Sequence, residues 1–259
     1  MESLRLSIVQ AHLHWENPEA NRAAFDFTIK KLAPDSDLIV LPEMFTTGFT
    51  MNAAPLAESM NGPTVAWMQA HATDQSIAVM GSLIIKENDN YFNRLIFAFP
   101  DGGLQWYDKR HCFTLAGEHK IFTPGKEQLV VNYKGFNLFL LVCYDLRFPV
   151  WARNTVNYDA IIYVANWPKA RVAAWDALLK ARAIENMAYC IGVNRVGLDG
   201  NGYEYTGHSG CYDALGYLQS IPEFEAEFTQ TTTLSKKHIK ETREKLKFLD
   251  DRDSFTLLE

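Results

Sequence analysis

Phe136-Asn137-Leu138-Phe139-Leu140-Leu141-Val142-Cys143-Tyr144-Asp145 is a strand-length apolar run that ends on a thiol and turns polar at the next residues. Such runs, bounded by turn residues, read as buried strands, which puts Cys143 at a strand's carboxyl end. Leu38-Ile39-Val40-Leu41 has the same form; Pro42 breaks it and Glu43 follows. In α/β sheets reactive groups collect at the carboxyl ends of strands. Outward from these two segments, further strand patterns occur at Leu4–Gln10, Ile77–Ile85, Leu95–Phe99, Leu129–Tyr133, Ala160–Ala165 and Tyr189–Val196. Helical spacing fills some of the gaps: Pro18–Leu32 behind a cap at Asn17, Thr64–Thr73 after Gly62-Pro63, and Val172–Met187, with Val172, Trp175, Leu178 and Leu179 on one face. Elsewhere only a short turn separates strands, at Pro100-Asp101-Gly102-Gly103 and Lys134-Gly135, so the sheet is expected to be mixed.

No repeat of about 20 to 50 residues is present, which sets aside solenoids and propellers. No Ser/Gly-rich linker divides the chain before about Ser220, so residues 1–259 are expected to form one layered α/β domain, with 222–259 as a C-terminal extension. That extension carries a charged helix, Lys236–Leu249, behind a Ser235 cap, and reads as a solvated face. With 47% hydrophobic and 22% charged residues the composition is that of an ordinary globular protein. A net charge of −6, from 25 basic and 31 acidic residues, argues against nucleic acid as a partner. No stretch is long and apolar enough for a membrane span, and Met1–Gln10 alternates Leu4, Leu6 and Ile8 with polar residues where a signal peptide has an apolar core. A cytoplasmic protein without membrane attachment is expected. Cys112, Cys143, Cys190 and Cys211 are widely spaced, so neither a disulfide framework nor a zinc site is expected. His12-x-His14 and His111-Cys112 are only pairs, and the glycines at 197–202 and 207–210 match neither a dinucleotide fingerprint nor a P-loop.

Taken singly, Cys143 reads as a buried structural thiol, Glu43 as a helix cap or surface ion-pair partner, and Lys109 as a solvated lysine. Together they make a chemical set. A thiol with a reference pKa of about 8.5 is mostly protonated at neutral pH, and attack on an amide carbonyl needs the thiolate. A carboxylate is a poor base in water, but burial raises its basicity and can place its oxygen for proton transfer. An ammonium beside both stabilises the thiolate and the oxyanion that develops on the carbonyl. A cysteine–histidine pair using His111 or His208 is the other arrangement on paper, but nothing around either residue looks like a cysteine protease segment.

Leu41-Pro42-Glu43-Met44-Phe45, Tyr107-Asp108-Lys109-Arg110-His111 and Val142-Cys143-Tyr144-Asp145-Leu146-Arg147-Phe148-Pro149 resemble, in order and spacing, the three signature segments of the nitrilase superfamily of carbon-nitrogen hydrolases. The likeness extends through Tyr163-Val164-Ala165-Asn166-Trp167-Pro168 and Arg182-Ala183-Ile184-Glu185-Asn186 to about Gly216. Asn166-Trp167-Pro168, Asn194-Arg195-Val196-Gly197, Asp199-Gly200-Asn201-Gly202 and Arg243-Glu244-Lys245 look like the bacterial omega-amidase branch. The resemblance implies a four-layer α-β-β-α sandwich and an amidase acting through a cysteine thioester, with Cys143 as nucleophile, Glu43 as base, Lys109 as electrostatic partner and no metal or organic cofactor. It implies a supporting role for Glu118 and an oxyanion donor in the backbone N–H of Tyr144. The implied substrates are small dicarboxylic monoamides, such as 2-oxoglutaramate, 2-oxosuccinamate or succinamate. A nitrile, an N-carbamoyl compound or deaminated glutathione would suit the same three residues, and a catalytically idle binding or assembly module is the reading from another class. Arg171 reads either as a helix-start surface residue or as a clamp for a substrate carboxylate. Phe45, Tyr144 and Trp167 read as pocket walls or as core. The superfamily's habit of pairing through helices outside the sheet implies a homodimer or larger assembly, with Phe148-Pro149-Val150-Trp151 as a contact.

Overall fold

The computed structural model describes residues 2–221 and 223–257. One sheet contains β1 (Ser3–Gln10), β2 (Leu38–Val40), β3 (Ala78–Glu87), β4 (Asn90–Ala98), β5 (Leu104–Asp108) and β13 (Phe228–Ser235), in the order β13-β1-β2-β3-β4-β5. A second contains β6 (Val130–Tyr133), β7 (Phe136–Val142), β8 (Ala160–Ala165), β9 (Tyr189–Asn194) and β12 (Gly210–Tyr212), in the order β12-β9-β8-β7-β6. β10 (Val196–Leu198) and β11 (Glu204–Thr206) form a small separate ribbon. Both large sheets are mixed. β1, β2 and β3 are parallel, as are β7, β8 and β9, and the remaining pairs are antiparallel.

The helices are α1 (Pro18–Leu32), α2 (Ala53–Leu56), α3 (Pro63–Gln75), α4 (Pro149–Ala152), α5 (Val172–Asn186) and α6 (Lys236–Leu246). α1 starts where the sequence places it: the Asn17 side chain accepts a hydrogen bond from the Ala20 N–H and Pro18 supplies the first helical φ. Its buried face is Asn21, Phe25, Ile29 and Leu32.

Period-two alternation explains the layering. Leu38 and Val40 of β2 enter one apolar core with Leu6, Met80, Leu140 and Ile162, the space between the sheets. Ile39, and Leu41 just beyond the strand, enter another with Phe25, Ile29, Val65 and Met68, under α1 and α3. On the far side Trp175 and Leu179 of α5 pack against the second sheet. The result is the four-layer α-β-β-α sandwich.

The sequence-based boundaries differ from the structure in four places. β4 begins at Asn90, well before Leu95, because Asn88 and Asp89 take up positive φ (47° and 65°) and close a tight hairpin on β3. β5 falls outside the strand patterns expected from the sequence, in the polar and aromatic stretch that follows Gly103. β13 lies in the expected extension, yet pairs with β1 along eight residues and closes the edge of the first sheet, so this segment is built into the domain. Pro222, Leu258 and Glu259 of that extension lie outside the described residues. The helix expected over Lys236–Leu249 ends at Leu246, where Lys247 turns left-handed (φ 56°); its Ser235 cap accepts from the His238 N–H.

Candidate active site

Strand direction brings the reactive groups to one edge. Two reversals, β3 to β4 and β4 to β5, restore the direction of β2, so Glu43 after β2 and Lys109 after β5 emerge at the same end. In the facing sheet Cys143 follows β7 and Asn166 follows β8. Pro42, which has no N–H to donate, ends β2. Beyond it the Met44 N–H donates to Ser82 Oγ at 2.8 Å, holding the turn that carries Glu43.

Lys109 Nζ donates to Glu43 Oε1 at 2.9 Å and to both oxygens of Glu118, at 3.0 and 2.9 Å. All three residues are at most 1% exposed. Phe113 N–H donates to the Glu118 carboxylate as well. Asn93 Nδ2 donates to Glu43 Oε1 at 2.8 Å and to Glu118 Oε1 at 3.3 Å. Ser82 Oγ donates to Asn93 Oδ1, which turns the amide so that its N–H groups face the carboxylates. Glu43 Oε2 accepts the Asn166 N–H at 2.8 Å.

Burial by itself would lower the basicity of Lys109, but Glu118, Glu43 and Cys143 outweigh it, and its pKa stands well above the ordinary lysine value. The ammonium therefore stays charged. Burial raises the Glu118 pKa; Lys109 pulls it back and the Glu43 charge pushes it up, leaving it above the usual carboxylate range. Burial and then the Glu43 carboxylate, to which the thiol is hydrogen-bonded, raise Cys143 well above a free thiol despite the opposing pull of Lys109. The Cys143 thiol is thus held in its protonated form beside the Glu43 carboxylate.

Cys143 opens a 3₁₀ turn, Cys143–Arg147, with a left-handed φ of 46°. That conformation costs a non-glycine residue about 1 to 2 kcal/mol. The first N–H groups of a helical turn have no partner inside it, so the Tyr144 N–H is free of the turn's own hydrogen bonding. Asp145, fully buried, accepts from Val142 N–H (3.0 Å), Tyr107 OH (2.8 Å), His111 N–H (3.0 Å) and His111 Nδ1 (2.7 Å). These donors flank Cys143 on one side and Lys109 on the other, so one carboxylate registers the two loops against each other. His111 is thereby engaged with Asp145, and His208 with Asp176 at 2.9 Å.

A cavity of about 660 Å³ opens over Cys143 and is also lined by Tyr144, Asn166, Trp167 and Arg171, as well as Arg147, which the sequence reading did not single out. The Arg171 guanidinium lies 5.0 Å from the Phe113 ring centre and that of Arg147 4.9 Å from Trp167. Among the described residues neither is paired with a carboxylate. Phe45, expected as a possible wall, does not reach the cavity: it is fully buried, edge-on to Phe25 and 5.8 Å from the Trp67 ring, because Glu43 takes the site-facing side of this turn. Asn93, Asp145 and Asn166 were not picked out as site residues. The signal for Asp145 and Asn166 was their position directly after strand ends. No group of three or more side chains able to hold a metal ion occurs among the described residues. All four cysteines are free, and no described helix is long and apolar enough to cross a membrane.

The carbon-nitrogen hydrolase family profile matches residues 5–244. Over 258 residues the chain is 43% identical to a Yersinia enterocolitica protein described as omega-amidase YafV, covering 100% of both. It is 31% identical over 216 residues to a Bacillus subtilis 2-oxoglutaramate amidase, covering 82% of this chain and 83% of that one. The crystal structure of XC1258 from Xanthomonas campestris, a CN-hydrolase superfamily protein with an arsenic adduct in its active site, superposes with a TM-score of 0.97 at 44% identity, covering 99% of this chain and 100% of the other.

Proposed function

The chain belongs to the carbon-nitrogen hydrolase family, and from that premise we propose that it is an omega-amidase, hydrolysing the terminal amide of small dicarboxylic acid monoamides to the acid and ammonia. The observation that carries the reading is the buried Glu43–Lys109–Glu118 cluster set behind Cys143, under a cavity that presents Arg147 and Arg171, neither with a carboxylate partner among the described residues. Cys143 Sγ attacks the amide carbon while its proton passes to Glu43. Lys109 Nζ and the Tyr144 N–H hold the oxyanion. The proton then goes from Glu43 to nitrogen, the C–N bond breaks with its electron pair on nitrogen, and ammonia leaves a thioester. Glu43 next takes a proton from water, whose oxygen attacks the thioester and releases the acid and the thiol. Glu118 fixes the lysine.

Ammonia release from a substrate panel tests this. Succinamate, 2-oxosuccinamate and 2-oxoglutaramate should be turned over faster than nitriles or N-carbamoyl compounds; a nitrile or N-carbamoyl compound ahead of all three would overturn it. In the same assay Arg171→Met should lower kcat/KM for succinamate by about 10- to 150-fold, the worth of a charged hydrogen bond of about 1.5 to 3 kcal/mol. Butyramide, of the same length without the carboxylate, should lose far less. Equal losses on both substrates would give Arg171 a purely structural part.

We also propose a cytoplasmic homodimer. Four free buried cysteines suit a reducing compartment. Val150 and Ile184 are 53% and 47% exposed near the expected contact, although Trp151 is buried and donates to Tyr107 OH, so it cannot be part of that contact. Light scattering at micromolar concentration should give twice the chain's 29.5 kDa; a monomer would reject the assembly.

A further inference from the structure

Half of the Asn166 carboxamide is in use. Its Nδ2 donates to the Glu43 carbonyl oxygen at 2.5 Å, and its backbone N–H donates to Glu43 Oε2. Its Oδ1 is buried and has no hydrogen-bond partner among the described residues. Flipping the amide gives no relief, since it would set one carbonyl oxygen against another. Buried acceptors are nearly always satisfied. Asn166 is 4% exposed and is one of the residues that line the cavity beside Cys143.

Glu43 has little acceptor capacity to spare. Its Oε1 already accepts from Lys109 and Asn93, its Oε2 accepts from Asn166 N–H, and the carboxylate faces the Cys143 thiol as well. A primary amide brings two N–H donors into this space, and they need an acceptor that is not also receiving the thiol proton. We propose that Asn166 Oδ1 accepts a hydrogen bond from the substrate's amide N–H and so makes the site selective for a primary amide nitrogen. The assignment rests on the amidase reading and deepens it.

The interaction strengthens along the reaction. When Glu43 hands its proton to nitrogen in the tetrahedral intermediate, the nitrogen becomes a cationic donor with three N–H bonds, and hydrogen bonds to charged groups are the stronger class. The C–N bond then breaks and ammonia departs. An ester's leaving oxygen and a nitrile's nitrogen carry no hydrogen in the ground state, so each would set lone pair against lone pair at Oδ1. A site built around a hydrogen-bonding group rejects analogues that lack its partner far better than an apolar pocket does.

The test compares succinamate with monomethyl succinate, which share an acyl group and hence the same thioester, so kcat/KM reports the acylation half of each reaction. In Asn166→Ala the amide-to-ester ratio of kcat/KM should fall at least about tenfold, the scale of one lost hydrogen bond. In Asn166→Asp, which keeps an acceptor oxygen in place, the ratio should stay within about threefold of the starting protein even when both rates drop, given the same scale of interaction. Should Asn166→Ala not fold, the nearly isosteric Asn166→Leu reads the same ratio. Equal losses on amide and ester, or a ratio that falls as far in Asn166→Asp as in Asn166→Ala, would overturn the proposal and leave Asn166 as a support for Glu43. If the unmodified protein rejects succinamate, that counts against the dicarboxylate reading, and butyramide with methyl butyrate measures the Asn166 ratio independently.

Discussion

Lys109→Met is expected to end turnover and to lower stability by about 3 to 5 kcal/mol, the range for removing one partner from a buried ion pair. Both carboxylates that face Nζ are fully buried, and without the ammonium they confront each other with only the neutral Asn93 amide between them. At about 2 to 4 °C per kcal/mol for a chain of this size, Tm should fall on the order of 10 °C. The deficit should shrink in acid. Glu118 already holds its proton more tightly in the folded chain than a free carboxylate does, so folding takes up protons and stability declines as pH rises from about 4.5 through its raised value. Removing Lys109 takes away the opposing pull and enlarges that slope. Thermal melts at pH 5 and pH 8 should therefore show a smaller gap between variant and parent at pH 5; the same gap at both, or one under about 1 kcal/mol, would place Lys109 outside a tight charge cluster.

Cys143→Ala is expected to lower kcat by at least about a thousandfold, because no other residue can carry the covalent intermediate. Its effect on folding should be small, within about 1 kcal/mol. The change removes a single sulfur next to a cavity, and alanine bears the left-handed φ of 46° no worse than cysteine does. Activity above a tenth of the starting rate in a freshly purified sample would withdraw the nucleophile assignment.

The two variants concern residues that the sequence itself puts forward. Glu43 and Cys143 stand at the carboxyl ends of strand patterns, and the resemblance of the segments around Glu43, Lys109 and Cys143 to the nitrilase signature brings the three together, with base, ammonium and thiol as a chemical set that gives the resemblance a reason. The apolar strands β2, β7 and β8, buried on both faces, announce themselves as continuous runs. β13 does not: as an edge strand it buries only Thr232 and Leu234 outright, so a run of threonines passes for loop. β5 is hidden in the same way, with Trp106 46% exposed. The groups that position the site were harder still. Asn93 meets Glu43 across 50 positions of sequence within the first sheet, and Asn166 meets it across 123 from the facing sheet, and no local spacing encodes contacts that arise only when the strands and sheets assemble. Phe45 shows the converse limit: adjacency to a motif does not fix which side of a turn a ring takes.

The thioester is the claim on which the function rests, and intact-protein mass spectrometry tests it most directly. Protein mixed with succinamate and quenched in acid within milliseconds to seconds should be heavier by one succinyl group. Peptide mapping should place that group on Cys143, and neutral hydroxylamine should remove it, as expected of a thioester. Cys143→Ala should acquire no such mass. A succinyl group mapped to Cys112, Cys190, Cys211 or any other residue during turnover, or one that persists in Cys143→Ala, would contradict the account.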